Sequence, residues 1–267
     1  MNLNGKLKGI FTLLLVLAAL WATGATVFFL KNSGVRFSTM NELKNISFRT
    51  SGKITEEWVI STLGIEKGVD LFALDIADME KRLMAFPQIR RVFMEKRYPD
   101  TFFIGIDERV PLLKIAAKVN GEKQFLLVDE LDGKIFQPLC YGRDDFSGIL
   151  AANLELKLSD AKKMAFFPVP GIGAVKKLVD ALRNDFRDIF NLVTVVDLRN
   201  YDGRLEAAWA TIELHLRNGI YVVLGLKNFD VQLLRLDYLM NDKCRNDMHR
   251  IRSINISSPN DVVIGYK

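Results

Sequence analysis

Residues Leu71 to Pro111, LFALDIADMEKRLMAFPQIRRVFMEKRYPDTFFIGIDERVP, admit few structures. Asp75 stands where a helix N-cap accepts the N–H groups of the first turn. Ile76, Met79 and Leu83 recur at helical spacing, with Phe86 continuing the stripe. Pro87 ends the helix, because it donates no N–H and biases Phe86 away from the α region. Beyond it Val92 and Met94 alternate with charged residues. Tyr98-Pro99-Asp100-Thr101 turns the chain, and Phe102, Ile104 and Ile106 alternate on the return strand. The block reads as a helix followed by a strand hairpin, with no residue arranged for catalysis. A module of this kind offers a surface and a sheet edge, which points to binding.

The preceding residues complete a small unit. Leu43, Ile46 and Phe48 fall in a strand that ends at Thr50-Ser51-Gly52. Thr55 caps a helix whose first turn carries Glu56 and Glu57, favourable at the positive end of its dipole. The order over 43–110 is strand, helix, helix, strand, strand. Both helices must cover one face of the sheet, since neither buries its stripe alone.

Further toward the N-terminus, Ile10 to Leu30 contains no charged residue. As a helix it is about 31 Å long, matching a hydrocarbon core of about 30 Å. Ala22-Thr23-Gly24 resembles a signal-peptide cleavage site. The apolar run continues past it through Val27-Phe28-Phe29-Leu30, longer than a secretory h-region, so the reading is an uncleaved anchor. Residues 1–9 carry Lys6 and Lys8 and no acid, which keeps them cytoplasmic. The chain is thus expected to be single-pass, with 31–42 as a linker and the bulk extracytoplasmic. Net charge is +5, and +3 beyond the anchor. Arg90, Arg91, Lys96 and Arg97 are interrupted by acids, which reads as a polar strand face rather than a nucleic-acid site.

The remainder, 111–267, reads as mostly antiparallel strands with two helices. Asp132-Gly133 and Asn218-Gly219 are hairpin turns. One helix carries the stripe from Val175 to Phe190, and the other runs from Phe229 to Met240. Final strands are expected near Arg250–Ile256 and Asp261–Tyr266. His215 and His249 lack metal-ligand spacing and read as solvated surface residues. Asp129, Glu130 and Asp132 read as hairpin polar residues, since the later positions of a calcium loop are filled by Lys134, Phe136 and Pro138. Glu108-Arg109 reads as the charged end of an exposed strand. Cys140 and Cys244 are either one bridge or two idle thiols. No catalytic, cofactor or metal site is assigned.

The pieces together resemble the FtsQ/DivIB family of bacterial cell-division proteins. The likeness is carried by Pro87, Pro99-Asp100-Thr101, Glu108-Arg109-Val110-Pro111, the Asp129–Phe136 hairpin, Phe167-Pro168 with Gly171, Gly219 with Leu224-Gly225, and the helix bearing Arg235. It implies an α+β protein: one transmembrane helix, a POTRA domain over 43–110, and a β-domain over 111–267. It implies a non-catalytic scaffold of the inner membrane, enriched at the septum. Partners of the FtsB/FtsL type would bind by strand addition at the C-terminal edge, and other division proteins at the POTRA domain. The residues implied are Arg235, Ser258, Asn260, Asp261 and Tyr266. Arg235 is equally readable as a solvated helix residue, and Tyr266 as an edge cap. The chain departs from the family pattern at Asn255-Ile256-Ser257, Ser258 and Asp261 and keeps Gly265-Tyr266. A component of an envelope transport or secretion system is the alternative, although such proteins carry several POTRA units or a barrel.

Overall fold

The computed structural model describes residues 41–119, 122–160, 165–203, 210–244 and 247–267. The expected span Ile10–Leu30 and the linker up to residue 40 lie outside them. Among the described residues no helix is long and apolar enough to cross a membrane.

The first elements follow the expected order: β1 (Asn45–Thr50), α1 (Glu56–Leu63), a 3-10 turn (Leu71–Ala73), α2 (Ile76–Met84), β2 (Ile89–Arg97) and β3 (Thr101–Glu108). The three strands form a sheet in the order β1-β3-β2. Thr55 caps α1, its hydroxyl accepting from the Trp58 N–H at 3.3 Å. Gly64 closes α1 in the left-handed conformation at φ 67°, where a Cβ would be strained.

By contacts the described chain divides into two units. The smaller takes the residues up to Ser47, with Glu66–Asp75 and Glu95–Phe103. Backbone bonds close it: Leu43 N–H to Val69 O and Gly68 N–H to Leu43 O at 2.8 Å, and Leu71 N–H to Asn41 O at 2.9 Å. Leu43, Leu71 and Phe102 are fully buried.

The larger unit holds the rest. Its nine-stranded sheet runs β14-β13-β12-β11-β10-β7-β4-β5-β6. The strands are β4 (Pro111–Val119), β5 (Glu122–Asp129), β6 (Ile135–Phe136), β7 (Leu150–Asn153), β10 (Val193–Asp197), β11 (Thr211–Leu216), β12 (Tyr221–Gly225), β13 (Ile251–Asn255) and β14 (Val263–Tyr266). A separate pair joins β8 (Leu158–Asp160) to β9 (Ala165–Phe166). In the large sheet, β7 pairs in parallel with β4 and β10, and β12 with β13; the other neighbours are antiparallel. Both expected glycine turns occur, with Gly133 at φ 70° and Gly219 at φ 82°.

Helices α3 (Ile172–Asn184), α4 (Arg187–Leu192) and α5 (Phe229–Tyr238) accompany this sheet. The expected single helix from Val175 to Phe190 is therefore two. Phe186 leaves the helical region at φ −123°, ψ 53°, and its N–H reaches back to Ala181 O at 3.1 Å. The apolar stripe is uninterrupted because Leu182 and Ile189 bury into the same core on either side of the break. That core joins Val175, Leu178 and Val179 to Ile212, Leu214, Val222 and Ile254.

Glu108 and Arg109 do not end an exposed strand. They are 2% and 8% exposed. Glu108 accepts from the Thr50 hydroxyl at 2.6 Å, the Ile54 N–H at 2.8 Å and Gln88 Nε2 at 2.5 Å. Buried Gln88 also accepts from the Leu139 N–H at 2.6 Å. Arg109 donates to Asp129 at 2.9 Å, Asp132 at 2.7 Å and Pro87 O at 2.8 Å. Arg90 takes the other Asp129 oxygen at 2.8 Å. Asp129 is thus a fully buried carboxylate between two guanidinium groups, not simply a hairpin polar residue. Burial withdraws these charges from water, and each is retained because its partners are fixed.

The same network predicts a pH dependence. Burial alone would push the Asp132 carboxyl up; the Lys134 N–H, a hydrogen bond with Asp129 and the Arg109 guanidinium outweigh it and hold the carboxyl down at about 2. A depressed folded value means that Asp132 stabilises the fold above about pH 4 and that this contribution fades as pH falls toward the folded value. Its side chain is 53% exposed, so screening holds the effect to about 1 kcal/mol or less. Denaturation midpoints of wild type and Asp132→Asn should differ at pH 5 and converge on acidification through this window. A gap that is constant with pH would contradict the assignment.

His215 also differs from its expected place. It is half-buried, its Nε2 makes no hydrogen bond, and Asp197 Oδ2 lies 3.6 Å away. Its ring stands edge-on to Tyr221, centroids 4.7 Å apart. Cys140 and Cys244 are free thiols, the first exposed and the second buried.

Candidate partner-docking surface

β14 is the last strand of the large sheet and, among the described residues, is paired on one side only, to β13. Its register sets Asn255 opposite Val263, Ile254 opposite Ile264 and Ser253 opposite Gly265, with an irregularity before Ile251 opposite Tyr266. Val263 and Tyr266 are 64% and 60% exposed. A strand with one free side presents unpaired N–H and C=O groups to any incoming strand.

The turn leading into β14 is held from α5. Arg235 Nη1 donates to Ser258 O at 2.9 Å, and Nη2 donates to Pro259 O. Asn255 Oδ1 accepts from the Ser257 N–H at 3.0 Å and the Ser257 hydroxyl at 2.7 Å. The Asn260 N–H reaches the Ser258 hydroxyl at 3.4 Å. Gln232, buried within α5, anchors the other end by pairing with both the N–H and the C=O of Gly225. Of the residues singled out in the sequence, Arg235, Ser258 and Asn260 are linked by these bonds. Asp261 and Tyr266 are exposed on the strand side.

α5 carries a second apolar face. Phe229, Leu233 and Leu236 are buried, while Val231, Leu234 and Tyr238 are 54%, 63% and 57% exposed. Their spacing of three and four places them on one outward stripe. In the sequence this stripe is masked, because the buried phase alone accounts for a helix. The signal was present: 231, 234 and 238 fall out of phase with 229, 233 and 236. Large apolar side chains grouped in solvent, on the helix whose Arg235 holds the turn before β14, mark an interaction surface.

Residues 41–109 match the family model described as POTRA domain, FtsQ-type. The chain carries an FtsQ-type POTRA domain and is similar to proteins named cell division protein FtsQ. It is 32% identical over 110 residues to the cell division protein FtsQ of Mycobacteroides abscessus, an alignment covering 41% of this chain and 34% of that one. It is 25% identical over 201 residues to the FtsQ of Rickettsia bellii, covering 74% of this chain and 62% of the relative. The FtsQ of Rickettsia felis is 28% identical over 89 residues, covering 33% of this chain and 32% of that one. The chain thus spans between about a third and 62% of the length of these relatives. The matched residues 41–109 contain β1, α1, α2, β2 and β3. The candidate surface on α5 and β14 lies downstream of them.

Proposed function

We propose that this chain is a non-catalytic scaffold of bacterial cell division, anchored in the inner membrane by Ile10–Leu30 with its N-terminus cytoplasmic. Residues 43–110 form its POTRA domain and 111–267 its β-domain. Single-pass division proteins of the FtsB/FtsL type are the partners. One adds a strand along β14 and lays a helix on the stripe of Val231, Leu234 and Tyr238. Backbone pairing tolerates the departures at Ser258 and Asp261, because strand addition is read by N–H and C=O groups. Arg235 acts as a brace, presenting the turn before β14, and Tyr266 lies at the rim. The observation that carries this reading is the β14 edge, unpaired among the described residues, together with a second apolar face on α5, the helix whose Arg235 holds the turn before β14. The likeness to proteins named for cell division supports the process served.

The test is a fluorescent fusion expressed at native level. A midcell band, with filamentous or chained cells on depletion, is the expected result. A uniform envelope signal with normal division on depletion would sink the proposal.

A further inference from the structure

We propose that the Phe72–Tyr98 pair of the smaller unit sits in the interfacial zone of the bilayer, so that this unit rests on lipid. The inference rests on the membrane-anchored reading above and goes beyond it. Phe72 and Tyr98 are 63% and 51% exposed, yet their rings meet at 5.0 Å between centroids. Two aromatic rings held together in solvent form an apolar wedge, and Tyr keeps a polar tip that suits a wet boundary. Lys96 Nζ donates to Phe72 O at 3.2 Å, which holds an ammonium at the base of the wedge, where it can snorkel toward headgroups.

The place of the wedge in the chain identifies its occupant. Asp70 Oδ1 caps the turn that carries Phe72, accepting from the Phe72 N–H at 3.0 Å. The next residue of that turn, Leu71, donates its N–H to Asn41 O at 2.9 Å, and Glu42 bridges Asp70. The aromatic turn therefore lies against the point where the chain arrives from the apolar segment. Ten residues separate Leu30 from Asn41. They reach at most about 35 Å when extended, and about 17 Å as a flexible coil. The wedge is thus tethered within about 35 Å of the membrane, so it can reach the interface without unfolding. In residues 41–47, 66–75 and 95–103 six acids outnumber four Lys and Arg. Attraction to anionic headgroups is therefore not the driving force; burial of ring surface is.

The full chain is reconstituted in nanodiscs, with p-benzoylphenylalanine replacing Trp21, Phe72, Tyr98 or Phe93 in turn, and phospholipid adducts are read by mass after illumination. Phe93 is a fair comparison because it is 51% exposed and belongs to the other unit. Adducts at 72 and 98 should exceed those at 93 roughly tenfold, the ratio expected from burying most of one ring. The yield should be the same in phosphatidylcholine as in phosphatidylethanolamine with phosphatidylglycerol. An adduct at 21 with none above the level of 93 at 72 and 98 overturns this inference and leaves the anchor standing. No adduct at 21 overturns the anchor reading and this inference together. Adducts that require phosphatidylglycerol overturn the account in which ring burial drives the contact.

Discussion

Asp129→Ala should destabilise the protein by about 3–5 kcal/mol, the size of effect seen when one partner of a buried ion pair is removed. Asp129 is fully buried and pairs with Arg90 and Arg109, and Arg109 itself is 8% exposed. Without the carboxylate, the side-chain partners left to Arg109 among the described residues are Asp132, whose side chain is 53% exposed, and Pro87 O. A largely desolvated guanidinium then has lost its buried counter-charge. Asp129→Asn should recover little, because an amide supplies one acceptor where two guanidinium groups donate. The informative variant is the pair Asp129→Leu with Arg109→Met. Removing both charges together removes the penalty as well, so the double variant should be more stable than Asp129→Ala alone. Urea denaturation of the full chain in detergent measures all three. A loss below about 1 kcal/mol for Asp129→Ala would mean that water reaches the carboxylate.

This network also marks where sequence reading stopped. The small α/β unit was legible because each signal in it is local: Thr55 caps α1, Pro87 follows α2, and apolar residues alternate on β2 and β3. The hairpins at Gly133 and Gly219 were legible because a positive φ leaves glycine as the natural occupant. Charge is normally solvated, which favours an exposed Glu108 and Arg109 in the sequence, and their partners Gln88 and Asp129 lie 20 residues away in opposite directions. Nothing local announces such a pairing. The break at Phe186 was hidden because the stripe continues across it. β7, only Leu150–Asn153, sits between β4 and β10 in two parallel pairings, and four residues of weak alternation cannot announce a central strand. On the proposed docking surface, the final strand near Asp261–Tyr266 and the helix carrying Arg235 were legible as elements. That Arg235 spends its guanidinium on the carbonyls of Ser258 and Pro259 was not, since it depends on how a loop folds back over a helix.

Leu234→Asp should weaken partner binding by roughly 30- to 1,000-fold while leaving the fold intact. Leu234 is 63% exposed, and a surface substitution away from buried partners changes stability by about 0.5 kcal/mol or less. On the proposed surface, however, it is the middle residue of the stripe. A partner helix would bury it and leave the new carboxylate unpaired, a loss of about 2–4 kcal/mol. Tyr238→Ala removes a ring from the same stripe and should act in the same direction. Leu131→Asp is the matched control: it is 61% exposed, and it lies in the turn between β5 and β6, at the opposite end of the sheet order from β14. Binding of the extracytoplasmic segment of an FtsB/FtsL-type partner to each full-length variant separates the two halves of the proposed contact. If Leu234→Asp and Tyr238→Ala bind as wild type while removal of residues 263–267 abolishes binding, strand addition alone carries the interaction. If all three fail to bind and Leu131→Asp does not, the helix and the edge strand form one surface. If none of them affects binding, the partner docks elsewhere on the chain, and the second apolar face of α5 requires a different occupant.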